Sequence, residues 1–276
     1  IVQARLNSQR VPHKMLRHFA DSNLFGIVLD KLLSSSIIPS DQIYASVYEE
    51  ELFYEANIKR NIRTFKRSFE SANNDSDITK IFEWHDKLPH KYCILISGCN
   101  PLLSVSTIDA FVRQFVEQEE ENLFAVFEKK TYYWDKEGAL ITPWPEDQTI
   151  MNTKAVDPVY EAAHCLYASR MDLIKNNKFM VDIQKENLIL YSIPELEAFD
   201  IDYEWQFKLG EKLYEEFYTS EDKVNFYLYE SIGVVTNSLK PSFSEMEVTI
   251  KEIENLFKRE SYNKEDIIKI MNKILP

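Results

Sequence analysis

Residues 1–16 read IVQARLNSQRVPHKML. Ile1 to Ala4 have the character of a strand, and the residues after Arg5 form a polar stretch with almost no apolar content. Leu24 to Leu33 follows with apolar residues at helical spacing. The alternation then repeats. Gln42 to Val47 reads as a strand, Glu50 to Ile58 as a helix and Ile62 to Phe65 as a short strand. Asp77 to Trp84 reads as a helix, Tyr92 to Ile96 (YCILI) as a fully apolar strand and Ile108 to Phe115 as a helix. Strand, crossover helix and strand in series imply a mainly parallel sheet covered on both faces. Such α/β sheets bind ligands outside the carboxyl ends of their strands, where the polar loop after Arg5 must lie.

Composition narrows the function. The chain has 276 residues, enough for one large domain or a domain with an appendage. Lys+Arg 32 against Asp+Glu 45 gives a net charge of −13, which repels a nucleic-acid backbone. The 5 glycines stand at Gly26, Gly98, Gly138, Gly210 and Gly233, so no pair builds a glycine-rich phosphate cradle or dinucleotide fingerprint. The 3 cysteines form no C-x-x-C pair, which fits a reduced, cytoplasmic protein. No apolar run is long enough to cross a membrane.

From Leu123 the pattern changes to LFAVFEK, TYYW, a turn at Lys136 to Gly138, and ALIT, followed by Pro143, Pro145 and Pro158. This reads as an antiparallel excursion over about 123–165, suited to a dimer contact. Leu188 to Ile193 returns as a strand and Tyr203 to Phe217 as a helix. Beyond about residue 220 the reading is helical: Met246, Ile250, Ile253 and Phe257 share one face, and Asn263 caps a last helix. The division expected is 1–217 for the sheet domain and 218–276 for a helical appendage.

Two segments carry chemistry. Arg5, Arg10 and Lys14 bring three cations to one strand end of an acidic chain, which makes a local anion site; a solvated basic loop is the competing reading. Phe199-Asp200-Ile201-Asp202 places two carboxylates on one side of an extended segment, a hard-oxygen pair suited to Mg²⁺ that leaves room for water and phosphate. Acidic capping of the next helix competes with that reading.

Ala4, Arg5, Ser8, Arg10, Pro12, Lys14 and Leu16 form A-R-x-x-S-x-R-x-P-x-K-x-L. This resembles the N-terminal signature of the CMP-sugar synthetases, the acylneuraminate and 3-deoxy-manno-octulosonate cytidylyltransferases. Asp200-Ile201-Asp202 is similar to their I-D-I-D segment. The resemblance implies a Rossmann-like nucleotidyltransferase fold, CTP at the strand ends, and a sugar hydroxyl that attacks the α-phosphate. Pyrophosphate then leaves, and the product is a CMP-sugar for surface glycan biosynthesis. By the same resemblance Arg5, Asn7, Ser8, Gln9, Arg10, Lys14 and Arg67 hold the nucleotide, and Asp200 and Asp202 hold Mg²⁺. Arg5, Lys14 and Asp202 serve catalysis, and Ser97, Asn100, Glu161 and His164 face the sugar. The sequence departs at Ser97, where relatives have Gln or Asp, and at Glu161, where sialate enzymes have Arg. A cytoplasmic homodimer is implied. A sugar-nucleotide-dependent glycosyltransferase of similar fold and a non-catalytic binding subunit remain as alternatives.

Overall fold

The computed structural model describes residues 1–74, 76–118, 122–176, 178, 188–214, 224–229, 232–235, 243–258, 263–271 and 273. The strands are β1 (Val2–Gln3), β2 (His18–Phe19), β3 (Ser22–Asn23), β4 (Tyr44–Val47), β5 (Arg63–Lys66), β6 (Tyr92–Ile96), β7 (Asn122–Lys129), β8 (Val159–Arg170), β9 (Ile189–Ser192), β10 (Val224–Tyr229) and β11 (Ile232–Val235). The α-helices are α1 (Leu24–Leu33), α2 (Glu50–Phe53), α3 (Phe69–Asn73), α4 (Ile78–Ile81), α5 (Val105–Gln118), α6 (Met171–Ile174), α7 (Glu204–Tyr214), α8 (Phe243–Phe257) and α9 (Lys264–Met271). The chain forms two compact units, Ile1–Glu215 and Glu216–Pro276.

The first unit is built on a seven-stranded sheet of order β5-β4-β1-β6-β8-β7-β9. β5, β4, β1 and β6 are parallel, β7 and β9 are parallel, and β8 runs antiparallel to both its neighbours. The sheet is therefore mostly parallel with one reversed strand. Side chains alternate across it: Ile96 of β6 joins Phe25, Leu29, Phe111 and Phe115 on one face, while Cys93 and Leu95 join Phe82, Trp84 and Met171 on the other. A third cluster matters for function. Val11, Phe19, Leu24, Ile27, Ile201 and Phe207 pack together, so apolar burial ties the loop after β1 to the segment entering α7.

Some boundaries differ from the sequence reading. The helix expected over Asp77–Trp84 stops at Ile81 and continues as a 3₁₀ turn, Glu83–Asp86. The helix expected over Glu50–Ile58 widens to a π turn at Tyr54–Ile58. Both LFAVFEK and residues 159–170 belong to the main sheet, because Leu123, Ala125, Val126 and Phe127 are all buried against it. The excursion thus shrinks to residues 130–158, which include an isolated Trp134–Leu140 bridge. The helix from Tyr203 ends at Tyr214 among the described residues; its expected end at Phe217 and the 217/218 boundary lie outside them.

The second unit is not wholly helical. β10 and β11 form an antiparallel pair, favoured by the aromatic and β-branched residues of VNFYLY and IGVV. In α9, Asn263 accepts from the Asp266 N–H and Asp266 accepts from the Asn263 N–H, a reciprocal cap. Among the described residues no helix is long and apolar enough to cross a membrane.

Candidate functional site

The chain turns sharply after β1. Ala4 N–H still bonds Ser46 O at 3.1 Å, and Leu6 N–H donates to Glu49 Oε1 at 2.8 Å. The Arg5 guanidinium reaches Ala72 O at 3.3 Å, and Asn7 donates to Asn73 Oδ1 at 2.8 Å, so the loop leans on α3. Ser8 and Gln9 line a shallow cavity with Pro12 and Glu49. His13 takes a left-handed backbone (φ 53°), which closes a tight turn and carries Lys14 back under the loop.

Lys14 is buried, 8% exposed, and its Nζ donates to Ile201 O at 2.5 Å and lies 3.5 Å from Asp202 Oδ1. The exposed Arg10 pairs with the same oxygen at 2.8 Å and covers the Tyr203 ring. Two of the three cations singled out in the sequence, Arg10 and Lys14, therefore meet Asp202, while Arg5 stands against α3 and borders the Arg67 cavity. Arg17, not singled out in the sequence, forks onto Glu204 at 2.6 and 2.8 Å and stacks over Phe207, clasping the loop to α7. At the start of α7, Gln206 accepts the N–H groups of Asp202 and Tyr203.

Asp200 sits beside this cluster with Oδ1 buried and without a hydrogen-bond partner. Burial, then the nearby Asp202 charge, hold its carboxyl above the ordinary range, while Lys14, His164 and Arg10 oppose the shift. An orphaned carboxylate oxygen next to a second carboxylate suits a small divalent cation that keeps other positions for water and phosphate. Among the described residues there is no larger cage of three or more His, Cys, Asp or Glu. The residues present fit Mg²⁺ in that open form.

The turn after β6 backs the acids. Cys99 O accepts the Ile201 N–H at 2.9 Å, Ser97 Oγ accepts the Cys99 N–H at 3.1 Å, and Asn100 donates to Ala198 O at 3.2 Å while its own Oδ1 stays buried and unpaired. His164 stands at a bulge in β8, with φ 53° and a register shift between Phe124 and Val126 of β7. Its Nδ1 meets the Tyr167 hydroxyl at 3.0 Å, and its charge acts on Asp200. Glu161 is elsewhere on β8: exposed, opposite Phe127, with its charge felt by Lys129.

Arg67 is 4% exposed, which a surface arginine would not be. It donates to Ser71 Oγ at 3.0 Å and Ser71 O at 2.5 Å, and burial together with Arg5 pushes it down to about 10. It borders a cavity of about 330 Å³ shared with Arg5, Gln3, Ser97 and Tyr167. Sequence reading missed Gln3, Arg17 and Glu49; the polar Gln3 in an otherwise apolar strand was a signal for the first.

A family model described as "Cytidylyltransferase" matches residues 1–232. No match was found among curated proteins. The fold is similar to that of a CMP:2-keto-3-deoxy-manno-octonic acid synthetase complexed with CTP (TM-score 0.58, 11% identity, 77% of this chain and 95% of that one). It is also similar to a cytidylyltransferase from Leptospira borgpetersenii serovar Hardjo-bovis (TM-score 0.53, 15% identity, 95% and 97%). A 4-diphosphocytidyl-2C-methyl-D-erythritol synthase from Anaerococcus prevotii shares it as well (TM-score 0.54, 12% identity, 77% and 95%).

Proposed function

The chain belongs to the cytidylyltransferase family, and from that premise we propose that it transfers the CMP group of CTP to a hydroxyl of a sialic-acid-like or related acidic sugar, releasing pyrophosphate. The observation that carries this reading is the shared contact of Arg10 and Lys14 with Asp202, at 2.8 and 3.5 Å.

In this reading Arg5, Arg10 and Lys14 neutralise the triphosphate, a need that glycine-rich backbone meets in other folds. Asn7, Ser8 and Gln9 line its path, and Arg67 borders the cavity that takes the base. Asp200 and Asp202 would hold Mg²⁺, which when bound neutralises phosphate charge and favours the ionised hydroxyl. Lys14, clamped on Ile201 O, keeps its place whether or not Asp202 turns to the cation. Ser97, Asn100 and His164 are the groups assigned to the sugar in this reading, with Asn100 on the turn that backs the acids. Catalysis then rests on positioning and charge neutralisation, with no covalent intermediate on the protein. Tyr132, Trp134 and Trp144 cluster in the 130–158 loop and leave Trp134 exposed, which supports a homodimer. In this reading the product is a CMP-sugar for surface glycans, made in the cytoplasm.

The test is pyrophosphate release with each nucleoside triphosphate, Mg²⁺ and a panel of acidic and neutral sugars. CTP-specific release with an acidic sugar is expected. A glycosyltransferase of similar fold would consume a sugar nucleotide without pyrophosphate release, and a binding subunit would turn over nothing.

A further inference from the structure

Gln3 lines the same cavity as Arg5 and Arg67, whose other walls include Ile81, Phe82 and Leu95. Its amide has only one orientation open to it. Oε1 accepts from the indole N–H of Trp84 at 3.0 Å and from Ser46 Oγ at 3.3 Å. An indole nitrogen can only donate, so the atom facing it must be the oxygen. Trp84 is fully buried, and Ser46 is the cross-strand partner of Gln3 in β4, so the clamp is held by core packing and sheet register. Nε2 has no hydrogen-bond partner among the described residues.

Asn74, Ser97 and Tyr167 complete the polar lining, and around Gln3 the groups offered are donors. Arg5 and Arg67 carry no acceptor, and Gln3 has its acceptor already engaged. A planar ring fits the apolar walls, and the part of its edge that meets the Gln3 amide N–H must present an acceptor.

We propose that Gln3 is a specificity-determining residue: its fixed amide N–H reads the acceptor edge of the pyrimidine, where cytosine has the neighbouring acceptors O2 and N3. Uracil carries a hydrogen on N3 and sets donor against donor. The proposal rests on the cytidylyltransferase reading and adds the residue that tells CTP from UTP. A buried mismatch of that kind discriminates more strongly than a missing contact.

The experiment is calorimetric titration of CTP and of UTP, each with Mg²⁺, into the wild-type protein, Gln3→Glu, Gln3→Leu and Ser46→Ala, with melting curves to establish folding. The wild type should prefer CTP. Gln3→Glu, which offers an acceptor to the N3–H of uracil, should lower the CTP:UTP affinity ratio about tenfold or more, and Gln3→Leu should lower CTP affinity about 3- to 10-fold. Should Gln3→Glu fail to fold, Ser46→Ala decides, because withdrawing one of the two clamping donors should cut the ratio roughly twofold. A ratio unchanged in every folded variant, or a wild type indifferent between CTP and UTP, overturns the role of Gln3 and leaves the enzyme class standing. A wild type that binds neither nucleotide overturns the nucleotide reading and this role with it.

Discussion

Replacing Asp200 by Asn should stabilise the protein and disable it. The carboxyl is half-buried, its Oδ1 has no partner, and burial and Asp202 raise its pKa. An acid with a raised folded-state pKa binds more protons folded than unfolded between its two pKa values. Its penalty is thus absent below the unfolded value, and stability is lost as pH rises through the folded value. The penalty therefore grows as pH rises above the unfolded value and is larger at pH 7 than at pH 4. Leaving a buried polar group unsatisfied costs about 1–3 kcal/mol. An amide at the same place keeps part of that cost, so ~1 kcal/mol of relief is expected, worth about 2–4 °C in Tm for a protein of this size. Scanning calorimetry without added metal, run from pH 4 to 7, should show Asp200→Asn melting above wild type at pH 7, with the gap closing near pH 4. Pyrophosphate release from CTP with Mg²⁺ should fall at least ~100-fold. A variant that melts lower at pH 7, or one that turns over like wild type, would refute the reasoning about this carboxylate.

A Cβ on Gly26 would come within 2.6 Å of Arg60 Nη2, a guanidinium pinned by Asp30 and Glu55, so Gly26→Ala should lower stability by about 1–3 kcal/mol in urea unfolding. Arg17→Met breaks the clasp on Glu204 and should raise KM for CTP several-fold with kcat much less affected, because the loop and not the reacting groups is loosened. Burial pushes the Cys93 and Cys165 thiols up to about 12, so neither should react with a disulfide reagent at pH 8 until the protein unfolds.

The strand and loop of residues 1–16 and the paired acids were legible because local pattern carries them: a polar run after a strand, and two carboxylates at spacing two. Their meeting was not written in either segment. Lys14 and Ile201 are 187 positions apart, and the packing of Val11, Ile201 and Phe207 that joins them follows from the sheet order. The left-handed backbone at His164 arises from a mismatch between β7 and β8, which neither strand shows alone. Arg67 is named only through the resemblance, since its burial comes from α3 and α4 covering it, and Gln3 gains its orientation from Trp84, 81 residues away. The hairpin of the second unit was hidden by the helical periodicity after it, since short strands leave little pattern to count.

The most direct measurement is a double-variant cycle on pyrophosphate release from CTP, with Lys14→Met, Asp202→Asn and the two combined. Groups 3.5 Å apart and acting on one triphosphate should be strongly coupled, so the pair should lose little more activity than the worse single variant. Losses that simply multiply would mean that the ammonium and the carboxylate serve separate places, and no common CTP site would join them.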